Sequence, residues 1–184
     1  DIDVLSELAR FNCCAVFISV TTLDTELRKV MEPRTSPPAS RLSAIEALAK
    51  AGIPVGVMMA PVIPGLTDHE MSKVLSAAAK AGAKHAGYVT LRLPYAVAPL
   101  FEQWLGKHFP ERKDKVLNRI RAMRGGKLYD AEWGTRMRGE GIFADQMEKM
   151  FEIAKRHAGL EGNPLKLTTE HFRRPGGTQM GFGF

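Results

Sequence analysis

Hydrophobic and polar residues follow a repeated order along the first hundred positions. Three segments with helical periodicity are expected, at 2–11, 39–51 and 69–81. An Asn or Gly, the residue types that end helices in a left-handed conformation, follows each of them at Asn12, Gly52 and Gly82. A short apolar run comes next in every case, reading CAVFISV, IPVGVMMA and HAGYVTLRL. Because these runs are apolar on both faces, they predict parallel strands covered by helices, in an α/β sheet or barrel.

Beyond residue 96 this alternation stops and only helical stripes remain. Three stripes of apolar residues begin at Val97, Val116 and Phe143. Between the last two lies RGGKLYDAEWGTRMRGEG, which is too rich in Gly and charge for a regular element, and the tail FRRPGGTQMGFGF is similar. We therefore predict three parts: a partial (β/α) barrel at 1–96, a helical extension with a basic Gly-rich loop at 97–160, and an irregular basic tail at 161–184.

The composition is that of an ordinary globular protein, with 45% hydrophobic and 25% charged residues in 184. No run approaches the roughly 18 apolar residues of a membrane span, and no basic-then-apolar leader opens the chain. Cys13 and Cys14 are adjacent, which excludes a disulfide framework or a spaced zinc motif within the chain. We predict a cytoplasmic protein with no membrane partner. Because the sequence starts without Met inside a predicted helix, we also expect a fragment of a longer protein.

The net charge of +6 is concentrated in two segments. Residues 111–140 hold nine Lys or Arg against five Asp or Glu, and residues 166–184 hold three against one. A basic segment on a neutral body indicates an anionic partner or a phosphate-bearing ligand, although solubility alone explains such a pattern equally well.

The run VGVMMAPVIPGLTDHE changes from a strand-like to a turn-like pattern at Pro61 and Pro64. Because proline has no N–H, we expect sheet pairing to end near Ala60. Thr67 with Glu70 three residues later predicts a capping box for the following helix. The run therefore predicts a strand, a loop at its carboxyl end and a helix start.

Polar residues also follow the other two predicted strands, with Ser19 and Thr21 after the first and Arg92 after the third. In parallel α/β folds, ligands bind at the carboxyl ends of the strands. Ser, Thr and Pro are equally ordinary turn and cap residues, so each strand end by itself is also explained as a plain connection. The three polar strand ends together favour a ligand site.

Several stretches resemble the radical S-adenosylmethionine (SAM) proteins related to spore photoproduct lyase. They are FISVTTLD, MEPRTSPPASRLSAIEALAKAGIPVGVMMAPVIPGLTD, YVTLRLP and MRGGKLYD with WGTRMRGEG. The resemblance implies a partial (β/α)6 barrel in which a [4Fe-4S] cluster, held by a CxxxCxxC loop, ligates SAM and splits it to a 5'-deoxyadenosyl radical. It also implies an electron donor such as flavodoxin or ferredoxin.

This chain would supply strands four to six of that barrel, which is its second half, followed by the helical extension. The three-cysteine loop is absent, and the adjacent Cys13 and Cys14 lack the spacing that wraps a cluster. We therefore expect the metal ligands upstream, and we assign no catalytic or metal-binding residue here. The full-length protein is expected to be a lyase-like radical SAM enzyme, and this chain alone to be inactive.

The resemblance implies two groups of SAM contacts. A polar residue at the end of the fourth strand, here Ser19, contacts the ribose. Backbone groups at the end of the fifth strand contact the adenine. The matching backbone here is that of Ala60, followed by Val62 and Ile63. Side-chain identity matters little for such backbone contacts, so apolar residues can make them.

Two roles are equally open for Arg34, one in the expected site and one within the protein. It meets the SAM carboxylate or a substrate anion as a bidentate donor, or it pairs with Glu32. The residues expected to bind the cofactor are Ser19, Thr21, Arg34, Ala60, Val62, Ile63, Gly65 and Arg92.

The basic segment at 111–140 allows two interpretations. Its arginines flank a Gly-Gly turn together with Tyr129 and Trp133, a mixture that could bind nucleic-acid phosphates and stack on bases. A charged arm that folds over the barrel mouth as a lid explains the same residues. Nucleic acid thus remains a possible substrate or partner, and a non-radical (β/α) barrel enzyme that binds a phosphate ligand is a further alternative.

Overall fold

A computed structural model describes residues 1–162 and 164–173 of the chain. The strands are β1 (Val16–Ser19), β2 (Val55–Val62) and β3 (His85–Thr90). The helices are α1 (Ile2–Arg10), α2 (Thr25–Met31), α3 (Pro38–Lys50), α4 (Met71–Lys80), α5 (Val97–His108), α6 (Lys113–Ala122) and α7 (Ile142–His157). Residues 164–173 have no helix or strand, as expected for the tail, whereas 163 and 174–184 lie outside the described residues. None of the helices described is long and apolar enough to cross a bilayer.

The three strands form one parallel sheet in the order β1-β2-β3. In the register, Val57 of β2 lies between Ile18 of β1 and Ala86 of β3. The predicted α/β class is thus confirmed: three parallel strands with flanking helices precede a helical extension. Since all three strands run the same way, their carboxyl ends meet at one edge of the sheet.

Helices cover one face of this sheet. Val57 and Met59 point to that face and are fully buried against Ile45 of α3, Val74 of α4 and Phe151 of α7. Because α7 shares this core with the strands, the extension is packed as part of the same body. The apolar stripe predicted to begin at Phe143 contributes Met147, Phe151 and Ala154 to this core, whereas Phe143 itself is 37% exposed.

The opposite face of the sheet is much less covered. Alternate residues of a strand point to opposite faces, so this second face carries Phe17 and Ser19 of β1, Met58 of β2 and Gly87 of β3. Phe17 is 41% exposed, Ser19 is exposed, and the other two are only partly buried. The sheet therefore has a helix-covered face and an open face.

Strand β2 extends beyond the point at which we expected it to end. It continues through Pro61 to Val62, which pairs with Thr90, and Val62 accepts a 2.9 Å hydrogen bond from the Leu91 N–H. The expectation that pairing ends near Ala60 was wrong. The register shifts between Met59 and Val62, so the proline falls in an irregularity, where a missing N–H is tolerated.

Helices α5 and α6 form a second apolar cluster at the carboxyl edge of the sheet. Leu105 and Ile120 of these helices pack with Ile63 and Leu66 from the β2–α4 loop and with Leu93 after β3. The extension therefore holds the loops that follow β2 and β3 in place.

Helix α2 was not foreseen from the sequence. It has seven residues and only Leu27 is buried, so it leaves almost no periodic apolar signal. Asp24 begins it by accepting hydrogen bonds from the N–H groups of Glu26 and Leu27 at 2.8 and 3.1 Å.

Phe151 offers a test of the contact between α7 and the sheet. It is 2% exposed and its ring centroid lies 4.6 Å from that of Tyr88. Phe151→Ala should lower the free energy of unfolding by about 3–5 kcal/mol, since it leaves a cavity in the core. Ile153→Ala, on the same helix but 52% exposed, should cost roughly 1 kcal/mol or less. Urea unfolding measures both, and equal losses would contradict the packing of α7.

Candidate functional site

The carboxyl edge of the sheet brings together the three strand ends that the sequence had marked as polar. Ser19 ends β1, Ala60 lies near the end of β2, and Arg92 follows β3. The parallel order β1-β2-β3 makes these ends neighbours in space. The Ser19 hydroxyl is exposed and makes no hydrogen bond to any described residue, so it is free to meet a ligand.

A chain of hydrogen bonds fixes the ends of β1 and β2. The buried Thr21 hydroxyl is 2.9 Å from Glu32 Oε1 and 3.2 Å from the Ala60 carbonyl oxygen. Glu32 Oε2 accepts from Arg41 Nη2 at 3.0 Å, and Arg41 Nη1 donates to the Ser19 carbonyl at 2.8 Å. Thr21 therefore connects strand ends within the protein, and Arg41 and Glu32 are site residues that sequence reasoning missed.

Arg34 lies apart from this network. Glu32 pairs with Arg41 instead, so the alternative in which Arg34 pairs with Glu32 was wrong. Arg34 is exposed and forms no ion pair with any residue the structure describes. Arg41 pairs with Glu32 because α3 directs the Arg41 side chain toward the end of β1. Nothing in the local sequence pattern around Arg41 predicted this contact.

Glu70 is a buried carboxylate that holds the loop after β1. Its Oε1 accepts from the Thr22 hydroxyl at 2.7 Å and its Oε2 from the Leu23 N–H at 2.8 Å. Thr67 accepts the Ile63 N–H at 2.9 Å. The predicted capping box was therefore wrong, because both side chains serve contacts outside the helix start, which has no side-chain cap.

The backbone expected to read adenine is partly used by the fold. Val62 and Ile63 are fully buried, and the Val62 carbonyl and Ile63 N–H have partners within the protein. Ala60 is half-buried, and its carbonyl oxygen has a second lone pair beyond the bond from Thr21. Of the three, Ala60 has the backbone best placed for a ligand, and the adenine contact itself stays a prediction.

Gly65 has a positive φ of 82° and lies against α6. Its N–H donates to Asp68 Oδ2 at 2.8 Å, and the same oxygen accepts from Arg119 Nη1 at 3.0 Å. A Cβ at this position would be 3.4 Å from the Arg119 side chain. The glycine thus allows the β2–α4 loop to turn close to α6.

Residues 123–141, called the basic arm below, cross the end of β3. The Thr90 N–H donates to the Met137 carbonyl at 2.8 Å, and the Thr90 hydroxyl donates to the Arg138 carbonyl at 3.1 Å. Arg124 is 4% exposed and donates from Nη2 to the Leu91 carbonyl at 2.9 Å. The arm therefore lies over the carboxyl end of β3, and its action as a lid stays a prediction.

The described residues do not provide ligands for an iron–sulfur cluster. They contain no group of three or more His, Cys, Asp or Glu side chains that could hold a metal ion. Cys13 and Cys14 precede β1, at the end of the sheet opposite the site, and donate to the Phe11 and Leu5 carbonyls.

Comparison with known proteins identifies a related family over part of the chain. Residues 1–78, from α1 to the larger part of α4, match the model of the radical SAM superfamily. Uncharacterized proteins of Mycobacterium tuberculosis and Mycobacterium bovis are each 34% identical over 113 residues, which is 60% of this chain and 33% of theirs. An uncharacterized protein of Acidianus two-tailed virus is 34% identical over 64 residues, or 35% of this chain and 21% of that protein.

The chain thus spans about a third of the length of the mycobacterial proteins it matches. No solved structure matches it. The α/β architecture described above is consistent with part of a radical SAM barrel followed by a helical extension.

Removal of the Glu70 carboxylate tests how the site is supported. Glu70→Ala should lower the free energy of unfolding by about 2–3 kcal/mol, because the Thr22 hydroxyl and Leu23 N–H lose a charged acceptor in a buried place. Glu46→Ala is the matched control, since that carboxylate is exposed and its ion-pair partner among the described residues is the exposed Lys50; its expected cost is about 0.5 kcal/mol. Thermal or urea unfolding compares the two, and a Glu70→Ala loss as small as that of the control would refute the supporting role.

Proposed function

We propose that this chain is the carboxyl-terminal part of a radical SAM enzyme that cleaves SAM and abstracts hydrogen from a substrate. The observation that carries the proposal is the match of residues 1–78 to the radical SAM superfamily. In the complete enzyme, a cluster bound by residues outside the described part of this chain would supply the electron for SAM cleavage, received from a small donor protein such as flavodoxin or ferredoxin.

The one-sided sheet supports this assignment. Parallel sheets are normally covered on both faces, yet Phe17 and Ser19 are exposed on the open face. In addition, β1 pairs only with β2 among the described residues, so its other edge is available. A half barrel has these two properties, because its inner face and its edge strand meet the other half.

Glycines on the open face indicate that side chains lie flat across it. A Cβ at Gly56 would collide with the Phe17 ring, and one at Gly87 would be 2.9 Å from Met58 Cε. The Phe17 ring and the Met58 thioether therefore rest against the sheet. Such a shallow apolar floor suits the interior of a barrel that encloses a cofactor.

Within the proposed site, the residues have separate roles. Ser19 contacts the ribose of SAM, and the backbone at Ala60 contacts the adenine. Thr21 acts by fixing Ala60 rather than by touching the ligand. The finer assignment, a spore photoproduct lyase-like enzyme, depends on the resemblance of the basic arm and the strand-end motifs, and the substrate stays open.

Anaerobic reconstitution of the full-length protein with iron and sulfide tests the proposal. With SAM and dithionite, the protein should develop a brown cluster and release 5'-deoxyadenosine, measured by liquid chromatography. Ser19→Ala should raise the KM for SAM about tenfold, as expected for the loss of a hydrogen bond worth roughly 1.4 kcal/mol.

Ser43→Ala is the matched control, because Ser43 is an exposed serine of α3 whose hydroxyl makes no hydrogen bond to a described residue. Its KM should equal that of the unmodified protein. Absence of both cluster and 5'-deoxyadenosine would refute the radical assignment and favour the alternative of a non-radical barrel enzyme with a phosphate ligand.

Nucleic-acid binding by the basic segment is a second candidate function, favoured by one observation. Trp133 is 82% exposed in the basic arm, and the Arg136 guanidinium lies 4.2 Å from its ring centroid. An exposed indole beside cations is typical of surfaces that stack on bases. A single-stranded oligonucleotide should then bind with an affinity that falls steeply as salt is raised, and Trp133→Ala should weaken it. Filter binding measures both, and a flat salt dependence would eliminate this candidate.

A further inference from the structure

Two arginines at the carboxyl end of β3, Arg92 and Arg124, lie near each other, and neither forms an ion pair with a residue that the structure describes. Arg124 is almost fully buried, and its Nη atoms donate to the carbonyls of Leu91 and Arg136 at 2.9 and 3.3 Å. Arg92 is half-buried, and its contacts are weaker: the Met137 sulfur at 4.0 Å and the Tyr129 hydroxyl at 3.4 Å. These contacts leave the charge of Arg92 largely unmet.

Both guanidinium groups also have a donor without an acceptor. The Nε atoms of Arg92 and Arg124 are buried, and neither has a hydrogen-bond partner among the residues described. Nor does any carboxylate in that part of the chain lie within 4.0 Å of either residue. Buried charged groups are normally paired, so two neighbouring cations in this condition indicate an anion that binds between them.

The other charged groups near Arg92 and Arg124 do not take the place of a bound anion. Asp130 is the acid that influences Arg124, but its oxygens already accept the Glu132 N–H at 2.9 Å and the Thr135 hydroxyl at 2.8 Å. The first of these bonds and then the second lower the pKa of Asp130. Burial lowers the pKa of Arg124, the Asp130 carboxylate raises it, and the nearby charge of Arg92, a smaller effect than that of Asp130, lowers it.

The remaining cations of the basic arm are placed elsewhere. Arg138 pairs with Glu148 of α7 at 3.2 Å and lies over the Tyr88 ring. Arg136 lies over Trp133, and Lys127 is exposed. The local charge around Arg92 and Arg124 is therefore positive, with one acid that the arm itself uses.

A strained tyrosine borders the same place. Tyr95, after β3, is 90% exposed and has a φ of 46°, a left-handed conformation that aromatic residues rarely adopt. Its ring centroid lies 6.2 Å from that of Tyr129, whose ring is in turn 5.9 Å from the Arg92 guanidinium carbon. Strain of this kind is concentrated at ligand-binding sites, and the Tyr129 ring lies near both Tyr95 and Arg92.

We propose that Arg92 and Arg124 form an oxyanion-binding site, at the junction of β3 and the basic arm, for a carboxylate or phosphate group of a ligand other than SAM. This role replaces the expectation that Arg92 binds the SAM cofactor. The planar guanidinium of Arg92 donates to two oxygens of the anion, which replaces the Met137 sulfur and the Tyr129 hydroxyl as its partner. Arg124 holds the basic arm in place and adds a second positive charge near the anion. The site does not depend on the proposed radical chemistry, since it requires only β3 and the arm.

Calorimetric titration of the full-length protein at low ionic strength tests the site, with inorganic phosphate in one series and malonate in another. Saturable binding of at least one anion is expected, and the tighter of the two identifies the group. Arg92→Gln should weaken that binding at least tenfold, whereas Arg92→Lys, which keeps the charge but not the fork, should weaken it less. Circular dichroism checks that both variants are folded.

Arg112→Gln is the matched control, because it removes an equal charge from an exposed position in the Pro110–Arg112 turn. It should leave the affinity unchanged. Added SAM should not displace the anion. Absence of saturable binding, an equal loss in Arg112→Gln, or displacement by SAM would each overturn the proposal, and none of these outcomes depends on whether the protein cleaves SAM.

Discussion

The hydrogen bonding of β2 to a parallel strand on each side is the constraint on which the rest of the structure depends. It sets the carboxyl ends of three strands beside one another, so that a hydroxyl at Ser19, a carbonyl at Ala60 and a guanidinium at Arg92 share one edge. It also gives the sheet two unequal faces. Helices α3, α4 and α7 bury one, and the other keeps its side chains partly in solvent.

Two carboxylates fix the positions of the loops at this edge of the sheet. Glu70 binds the loop after β1 from the start of α4, and Glu32 joins Thr21 to Arg41. Neither carboxylate is directed at a ligand by these bonds. They hold backbone groups in place. A candidate site built mainly from backbone groups and one hydroxyl requires such support.

The sequence predicted the helices and strands better than the side-chain contacts between them. Apolar runs and helical spacing were sufficient for the three strands and for six of the helices, because burial imposes those patterns locally. Glu70 and Thr67 had the spacing of a capping box, yet Glu70 bonds a residue 48 positions away, a separation that no local pattern reveals. The strand continued past Pro61 for a similar reason, since a partner on β3 accommodates the irregularity. Arg41 and Arg124 gave no signal beyond being charged residues on helical or Gly-rich segments.

The free edge of β1 has a consequence for the handling of this chain. Among the described residues β1 pairs only with β2, so its other edge offers N–H and carbonyl groups to further strands. Phe17 of β1 is also exposed, as are Ile2 and Leu8 of α1. Produced by itself, the chain would tend to join copies edge to edge and precipitate.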